Sequence, residues 1–250
     1  MSIQELGYES TPLGDLTLRR RSETLLGGRE VFEVKLGDEY LMSSLFTESE
    51  KALATLGLAG LLSEELDVVI GGLGLGYTAV EALKNDSVKR LLVIDLFQTV
   101  IDWHRGGLIP NGEIITSDER CELRQGDFFK LARTGFDASQ PERKFDAVLV
   151  DIDHSPEHFL DAGNQSFYTA TGLSAVQAQL DPGGTFALWS NDPASDDFTA
   201  HLRSIFPIAT AHNITFPNPY TGSTSVNSVY VARTHGGNES DRSVTDQATN

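Results

Sequence analysis

A glycine-rich turn between an apolar strand and a helix constrains this fold more than any other feature of the sequence. The strand is predicted at 67–70 (DVVI) and the helix at about 77–83. Between them lies GGLGLG, whose glycines are candidate cofactor-binding residues: Gly71, Gly72, Gly74 and Gly76. Glycines at this place permit a tight turn and a close approach of the backbone to a ligand. The segment therefore predicts a strand–turn–helix unit that binds a nucleoside or nucleotide.

Acidic residues follow the next three predicted strands: Asp95 after 89–94, Asp127 after 121–124 and Asp151 after 145–150. A carboxylate about 20 residues after the glycine turn is suited to bind both ribose hydroxyls. Asp127 is then placed to accept a hydrogen bond from an adenine amino group. The alternative is that these acids only cap helices, but three at successive strand ends favour a nucleoside site.

Three neighbours of these acids complete the candidate cofactor-binding set: Leu96, Gly126 and Phe128. Phe128 is a candidate to pack against adenine, although core packing also explains an apolar residue there. The glycine spacing is less typical of the dinucleotide fingerprint of NAD-binding proteins than of S-adenosylmethionine-dependent transferases.

Strands alternate with helices through most of the chain, which predicts an α/β fold with a mostly parallel sheet. Before this region, alternating residues with turns at Gly27-Gly28 and Gly37-Asp38 predict a small antiparallel β-hairpin unit. We predict an N-terminal β unit at 1–46 and a nucleoside-binding catalytic domain at 47–234. The polar segment 235–250 is expected to be disordered.

Charge and composition exclude several classes of protein. Lys and Arg number 19 against 36 Asp and Glu, giving a net charge of −17, which disfavours nucleic acid as a partner. This acidity is compatible with a cationic small substrate. No apolar run approaches the roughly 20 residues that span a bilayer, and the first residues do not read as a secretory signal. A cytoplasmic protein without membrane contact is expected. A single cysteine, Cys121, excludes an internal disulfide.

The chain resembles the spermidine synthase-like (polyamine aminopropyltransferase) family, which has the Rossmann-like class I methyltransferase fold with a seven-stranded sheet. The resemblance covers residues 30 to 232 and rests on VVIGGLGLG, LLVIDLFQTVIDWHR, LRQGDFF, FDAVLVDIDHSP, SFYTATGLSAVQAQLDPGGTFALWS and PNPYTG. The N-terminal β unit, which plain methyltransferases usually lack, also matches. The resemblance implies a transferase that moves an aminopropyl-type group from an adenosyl sulfonium to a small amine, and a homodimer is compatible with it.

By this resemblance, Asp95 corresponds to the ribose-binding acid and Asp127 to the adenine-binding acid. Asp151 corresponds to the acid that holds and deprotonates the attacking amine. Tyr220 lies near the position of the family's substrate tyrosine, one place off relative to Gly222. The implied donor is S-adenosylmethionine or its decarboxylated form, and the implied product is S-adenosylhomocysteine or methylthioadenosine.

Three features depart from the family pattern. The tyrosine–glutamine pair expected near the end of the β unit is not evident in EYLMSSLFTESEKAL. The glycine turn of the family carries an aspartate that binds the aminopropyl amine, and Gly74 stands in its place. Intact S-adenosylmethionine would then fit as well as the decarboxylated form. The second acid after the fourth strand normally lies three residues past the first, where this chain has His154, with Asp153 only two past. The cofactor pocket therefore matches the family better than the polyamine pocket does.

The segment after the fourth strand supplies the remaining catalytic candidates, Asp153 and His154. Asp151 and Asp153 would face the same side if the extended geometry continued, and together they would favour a dication. The alternative is that Asp153 caps the next turn. His154 is either an alternative base or a surface residue. With His158 four residues on, this segment resembles a metal site, but no third firm ligand is evident and no metal is predicted.

Two other functions stay open from the sequence. Gly74 favours a methyltransferase that acts on a small molecule with intact S-adenosylmethionine. A nucleoside-binding protein without turnover would keep the cofactor half of the site and lack the acceptor half.

Overall fold

The structure is a computed structural model that describes residues 3–137, 139–140 and 142–236. Most of the segment expected to be disordered, from residue 237 onward, lies outside the described residues. Within the described part of the chain, no helix is long and apolar enough to cross a membrane.

The N-terminal unit is a four-stranded antiparallel sheet whose strands are β1 (Ile3–Thr11), β2 (Gly14–Glu23), β3 (Arg29–Leu36) and β4 (Glu39–Ser43). It is larger than the hairpin unit predicted from the sequence. The prediction missed β1 because most of its residues are exposed, so no apolar–polar alternation marks it. The sheet ends at Ser43, and the first helix, α1 (Glu48–Leu58), follows.

The second sheet has seven strands: β5 (Leu66–Gly71), β6 (Val88–Asp95), β7 (Cys121–Gln125), β8 (Phe145–Val150), β9 (Leu180–Ser190), β10 (Ile208–Asn218) and β11 (Ser223–Arg233). Their order is β10-β11-β9-β8-β5-β6-β7, and β5 to β9 pair in parallel. Only the pairs that include β11 are antiparallel. The mostly parallel seven-stranded sheet and the Rossmann-like fold are thus confirmed.

The helices after α1 are α2 (Tyr77–Leu83), α3 (Gln98–Arg105), α4 (Gly112–Ser117), α5 (Phe128–Thr134), α6 (Ala170–Gln177) and α7 (Asp196–Arg203). Two apolar clusters form the core. One contains Leu53, Val68 and Leu149, and the other contains Val69 and Val148. Neighbouring residues of β5 and β8 thus belong to different clusters, so both strands are covered on both faces. This explains why they read as continuous apolar runs.

The structure differs from the sequence prediction around β9. A helix was expected at 166–180, but a 3-10 helix (Ala162–Tyr168) precedes α6, and Thr169 caps α6 through a hydrogen bond from the Gly172 amide. A turn was expected at 181–184, but β9 runs through it. There the pairing with β8 shifts between Phe145 and Ala147, and Gly183 has a φ of +81°. The Pro-Gly-Gly sequence forms an irregularity within the strand.

The strand order reverses at β5. The chain runs from β5 to β6 and β7 on one side and then returns to β8 on the other. In open parallel sheets, ligands bind in the crevice at the carboxyl ends of the strands where the order reverses. The glycine turn follows β5 and Asp151 follows β8, so the topology brings both segments to this crevice.

Candidate active site

A cavity of about 730 Å³ lies at the carboxyl ends of β5, β6 and β8. The glycine turn and the loops after β6, β7 and β8 form one side of its wall. The end of β1 and the turn that follows it, at 9–13, form another part together with Met42 of the N-terminal sheet, and Glu50 of α1 also lines the cavity. Small-molecule sites commonly have volumes of about 300–1,000 Å³, so the cavity has the size of such a site.

The glycine turn is held between β6 and β8. The amide of Gly72 donates to the carbonyl of Ile94 at 2.8 Å, and the amide of Asp151 donates to the carbonyl of Gly71 at 2.8 Å. At Gly72, where φ is +91°, a Cβ atom would lie 2.0 Å from the carbonyl oxygen of Asp151. Only glycine fits there, and the backbone of the turn consequently borders the cavity directly.

Two further side chains fix the carbonyl groups of the turn. His104 is 1% exposed, and its Nε2 lies 3.0 Å from the carbonyl oxygen of Gly74. The side-chain amide of Asn111 donates to the carbonyl of Leu75 at 2.9 Å. Burial lowers the pKa of His104, which favours a neutral imidazole. A neutral ring that donates through Nε2 is suited to hold a backbone carbonyl.

Asp95 lines the cavity and is oriented by the backbone. Its Oδ2 accepts from the amide of Leu73 and its Oδ1 accepts from the amide of Phe97, both at 2.9 Å. Burial raises the pKa of Asp95, while these amides act in the opposite direction. The carboxylate is therefore held rigidly at the end of β6, beside the glycine turn.

Asp127 both caps a helix and lines the cavity. Its carboxylate accepts from the amide of Lys130 at 3.0 Å at the start of α5. The capping alternative considered for these acids therefore applies to Asp127, without removing it from the cavity wall. Phe128 and Leu96 line the same wall. The ring of Phe128 fills the space beside Gly71, where a Cβ would lie 2.6 Å from it.

Asp151 and Glu50 form the acidic part of the wall. The hydroxyl of Thr78 donates to Oδ2 of Asp151 at 2.7 Å. Burial raises the pKa of Asp151 to about 6, against the effect of this hydrogen bond. Burial, followed by the charge of Asp151, raises the pKa of Glu50 to about 8. Two carboxylates whose pKa values are raised in this way are suited to hold a proton or a cation.

Sequence reasoning missed Glu50, Thr78, Met42 and His104. Glu50 had a detectable signal, because it lies three and four residues before Leu53 and Ala54 on the buried stripe of α1. A carboxylate on an apolar stripe either has a partner or serves a site. Met42 had no such signal, because only the packing of the two sheets brings it to the glycine turn.

Three predicted catalytic residues do not line the cavity. Asp153 is 2% exposed, and its carboxylate accepts from the amide of Leu160, the side chain of Asn164 and the hydroxyl of Tyr168. It caps the following turn, so it does not face the same side as Asp151. The Nε2 of His154 lies 3.4 Å from Glu39.

Tyr220 is also not part of the cavity wall. Its hydroxyl donates to Glu23 at 2.5 Å and accepts from Arg21 at 2.5 Å. Of the predicted glycines, Gly72 and Gly74 border the cavity, whereas Gly71, Gly76 and Gly126 are not part of its wall. Gly71 and Gly76 instead make room for neighbouring side chains.

A parallel sheet of this order, with a glycine turn and a strand-end acid on one cavity, defines a Rossmann-like fold with a candidate nucleoside site. A family model described as "Spermine/spermidine synthase domain" matches residues 50–230. The chain belongs to this family. The resemblance inferred from the sequence is confirmed.

Two relatives indicate the range of similarity. Polyamine aminopropyltransferase 2 of Pseudomonas aeruginosa is 29% identical over 163 residues, covering 62% of this chain and 44% of that protein. Polyamine aminopropyltransferase of Pyrobaculum islandicum is 27% identical over 164 residues, covering 61% of this chain and 52% of that protein. The chain thus spans about half the length of the curated relatives it matches.

Two solved structures share the fold. A spermidine synthase in complex with the transition state analogue AdoDATO aligns with a TM-score of 0.71 over 95% of this chain and 76% of that chain. The spermidine synthase of Thermotoga maritima aligns with a TM-score of 0.69 over 95% and 75%. Both are 20% identical to this chain, so this likeness establishes the architecture only.

Proposed function

We propose that this protein transfers an aminopropyl-type alkyl group from an adenosyl sulfonium donor, decarboxylated S-adenosylmethionine, to a small cationic amine. The observation that carries the proposal is the charge of the cavity wall. Among the described residues that line it, six carboxylates face a single guanidinium: Glu9, Glu50, Asp95, Asp127, Asp151 and Asp161 against Arg133. A wall of this sign attracts cations, and both the sulfonium and the amine are cationic.

The donor would lie between the glycine turn and the strand-end acids. The residues present fit an adenosyl group, because Asp95 is fixed beside backbone that carries no side chain at Gly72. Asp127 and Phe128 border the same part of the cavity. In this account Asp95 binds the ribose hydroxyls, Asp127 binds the adenine amino group and Phe128 packs against the ring. The β unit at 1–46 covers the cavity through its β1–β2 turn, and the domain at 47–234 carries the nucleoside site.

The amine would be bound and deprotonated by Asp151. The donor supplies a carbon attached to a sulfonium, so the C–N bond forms as the C–S bond breaks and the sulfur keeps the electron pair as a neutral thioether. Most of the catalysis is then positioning and proton transfer. A protonated amine has no free electron pair, and Asp151 is placed to accept its proton. Thr78 orients the carboxylate through its hydrogen bond.

Methyl transfer from intact S-adenosylmethionine is the second candidate, and the surroundings of Gly74 favour it. No carboxylate stands at this position to repel the carboxylate of the intact donor, and the thioether of Met42 lies beside it instead. The two candidates differ in the donor that the protein prefers, which a thermal-shift titration measures directly.

The test is incubation of the protein with decarboxylated S-adenosylmethionine and a panel of small amines, with products analysed by mass spectrometry. We expect methylthioadenosine and an amine heavier by one aminopropyl group. Formation of S-adenosylhomocysteine from intact S-adenosylmethionine would instead support methyl transfer. Binding of methylthioadenosine without any turnover would leave a nucleoside-binding protein.

A further inference from the structure

Glu50 is a buried acid in the cavity that neither the family resemblance nor the sequence pattern singled out. It is 7% exposed and lies on the apolar stripe of α1. Its Oε2 accepts from the hydroxyl of Ser49 at 3.0 Å. Among the described residues, no lysine, arginine or histidine forms an ion pair with Glu50 or Asp151. A buried carboxylate without a cation is costly, so its place in the cavity wall requires an explanation.

Thr78 contacts both Asp151 and the main chain of Glu50. Its hydroxyl is 2.7 Å from Oδ2 of Asp151 and 3.3 Å from the main-chain carbonyl oxygen of Glu50. One side chain of α2 thus ties α1 to the loop after β8. The charge of Asp151 acts on Glu50 and raises its pKa. We call these two acids the Glu50–Asp151 pair.

The other charged groups around the pair do not neutralise it. Glu48 of α1 raises the pKa of Glu50 further, and Glu50 itself raises the pKa of Tyr77 on α2. Strands β8 to β11 also pack against α1. Their titratable groups are Asp146, Asp181, His212, Tyr230 and Arg233. Arg233 is hydrogen-bonded to the carbonyl of Ala59, beyond the last turn of α1. The remaining charges on the cavity wall are four acids and Arg133, which donates to the hydroxyl of Ser166.

Two buried carboxylates on one cavity wall, of which one acts on the pKa of the other, cannot both ionise without a large electrostatic cost. At neutral pH one proton therefore remains on the pair, as on other buried carboxyl pairs. An ammonium group that enters the cavity supplies a positive charge beside the carboxylates. Both can then ionise, and the proton is released.

We propose that the Glu50–Asp151 pair shares one proton in the free enzyme and releases it when the cationic amine binds, so that Glu50 determines the specificity for a charged acceptor. This inference rests on the proposed transfer to an amine. It assigns to Glu50 a role in recognising the acceptor, whereas Asp151 accepts the proton during transfer.

Over one turnover, the protons taken up and released by the enzyme and its substrates are balanced. The ammonium binds and the proton of the pair leaves to solvent. During transfer the ammonium gives a proton to Asp151, the free electron pair forms the C–N bond, and the sulfonium becomes a neutral thioether. The product amine leaves as a cation, and the pair again holds one proton. The single proton that the net reaction produces therefore leaves at amine binding, before the C–N bond forms.

Calorimetry measures the proton released on amine binding under conditions in which no group is transferred. The protein is saturated with methylthioadenosine, which cannot transfer a group, and is titrated at pH 7 with 1,3-diaminopropane, 1,4-diaminobutane and 1,5-diaminopentane. Each titration is repeated in phosphate and in Tris, whose ionisation enthalpies differ. The difference in binding enthalpy counts the released protons, and we expect roughly one per amine bound.

The variant Glu50→Gln keeps the shape of the side chain and removes its charge. We expect it to release almost no proton and to bind the diamine at least tenfold more weakly, since a charge-assisted contact is lost. Glu48→Gln, an exposed acid of the same helix, is the matched control. Its charge acts on Glu50 less than burial or Asp151 does, so this variant should release nearly as many protons as the wild type.

Amine binding by the wild type without proton release, or equal release from Glu50→Gln, would overturn the inference and leave the proposed function intact. So would a failure of every diamine to bind to the methylthioadenosine complex. A failure of methylthioadenosine itself to bind would instead overturn the proposed function, and the inference with it.

Discussion

The sulfur of Met42 lies 3.0 Å from the point where a side chain at Gly74 would begin, and it accepts a hydrogen bond from the amide of Leu75 at 3.2 Å. A thioether from the N-terminal sheet thus fills the place where the family resemblance implies a carboxylate. The substitution at position 74 and the residue at position 42 belong together structurally.

The double variant Gly74→Asp/Met42→Ala should shift donor preference toward the decarboxylated form. The new carboxylate would attract the aminopropyl ammonium and repel the carboxylate of intact S-adenosylmethionine. Aspartate is among the residues that tolerate the φ of +47° found here. We expect the ratio of the two dissociation constants to change by roughly tenfold or more. Met42→Ala alone is the control and should leave the ratio unchanged.

Asp95→Asn should weaken the binding of methylthioadenosine by roughly 10- to 100-fold, because a neutral amide replaces a charged acceptor of ribose hydroxyls. Titration calorimetry measures the affinity. Circular dichroism and the melting temperature without ligand show whether the glycine turn, which Asp95 also supports, is intact. A well-folded variant with wild-type affinity would remove Asp95 from the nucleoside site.

Tyr220→Phe distinguishes a structural role from the substrate role implied by the family resemblance. The hydrogen bonds of Tyr220 and Arg21 hold the pKa of Glu23 at about 2, and they join the β10–β11 turn to the N-terminal sheet. We expect a lower melting temperature and a kcat within about twofold of the wild type. A large loss of kcat at unchanged stability would instead support a substrate-binding role for Tyr220.

Glu50 should make the stability of the protein depend on pH. Its pKa rises from 4.5 in the unfolded chain to about 8 in the folded one, so the folded state holds a proton that the unfolded state has lost. The free energy of unfolding then falls as pH rises between these values. Glu50→Gln should gain stability relative to the wild type over this range, on the order of a few kcal/mol. Denaturant unfolding at pH 5, 6.5 and 8 measures it.

The control for this effect is again Glu48→Gln. The difference in the free energy of unfolding between Glu48→Gln and the wild type should change much less over this pH range, because Glu48 is exposed and has a smaller effect on the pKa of Glu50 than burial or Asp151. A parallel pH dependence of Glu50→Gln and the wild type would contradict the shared proton.

The fold and the placement of Asp95 and Asp127 on the cavity wall could be predicted from the sequence, because both depend on local patterns. The glycines after β5 predict the turn, and Asp95 and Asp127 follow strands that the apolar pattern predicts. The exact bounds of some elements could not be predicted. In β9 the Pro-Gly-Gly sequence is typical of a turn, but Gly183 permits an irregular strand there.

Most of the proposed acceptor half could not be predicted in the same way, because long-range packing determines where its residues lie. The distance of Asp153 from the cavity follows from its hydrogen bond to Tyr168, fifteen residues away. Met42 reaches the glycine turn only through the contact between the two sheets. Glu50 is the exception, because its spacing from Leu53 and Ala54 on α1 is a signal that the sequence contains.

In the proposed function, Asp151 takes the proton of the amine within a cavity that binds the adenosyl donor. The most direct test of this role measures the rate of methylthioadenosine formation by wild type and by Asp151→Asn, together with the affinity of each for methylthioadenosine. We expect a loss of kcat of roughly 10²- to 10⁴-fold with nucleoside affinity nearly unchanged. An Asp151→Asn variant that forms product at the wild-type rate would contradict the account.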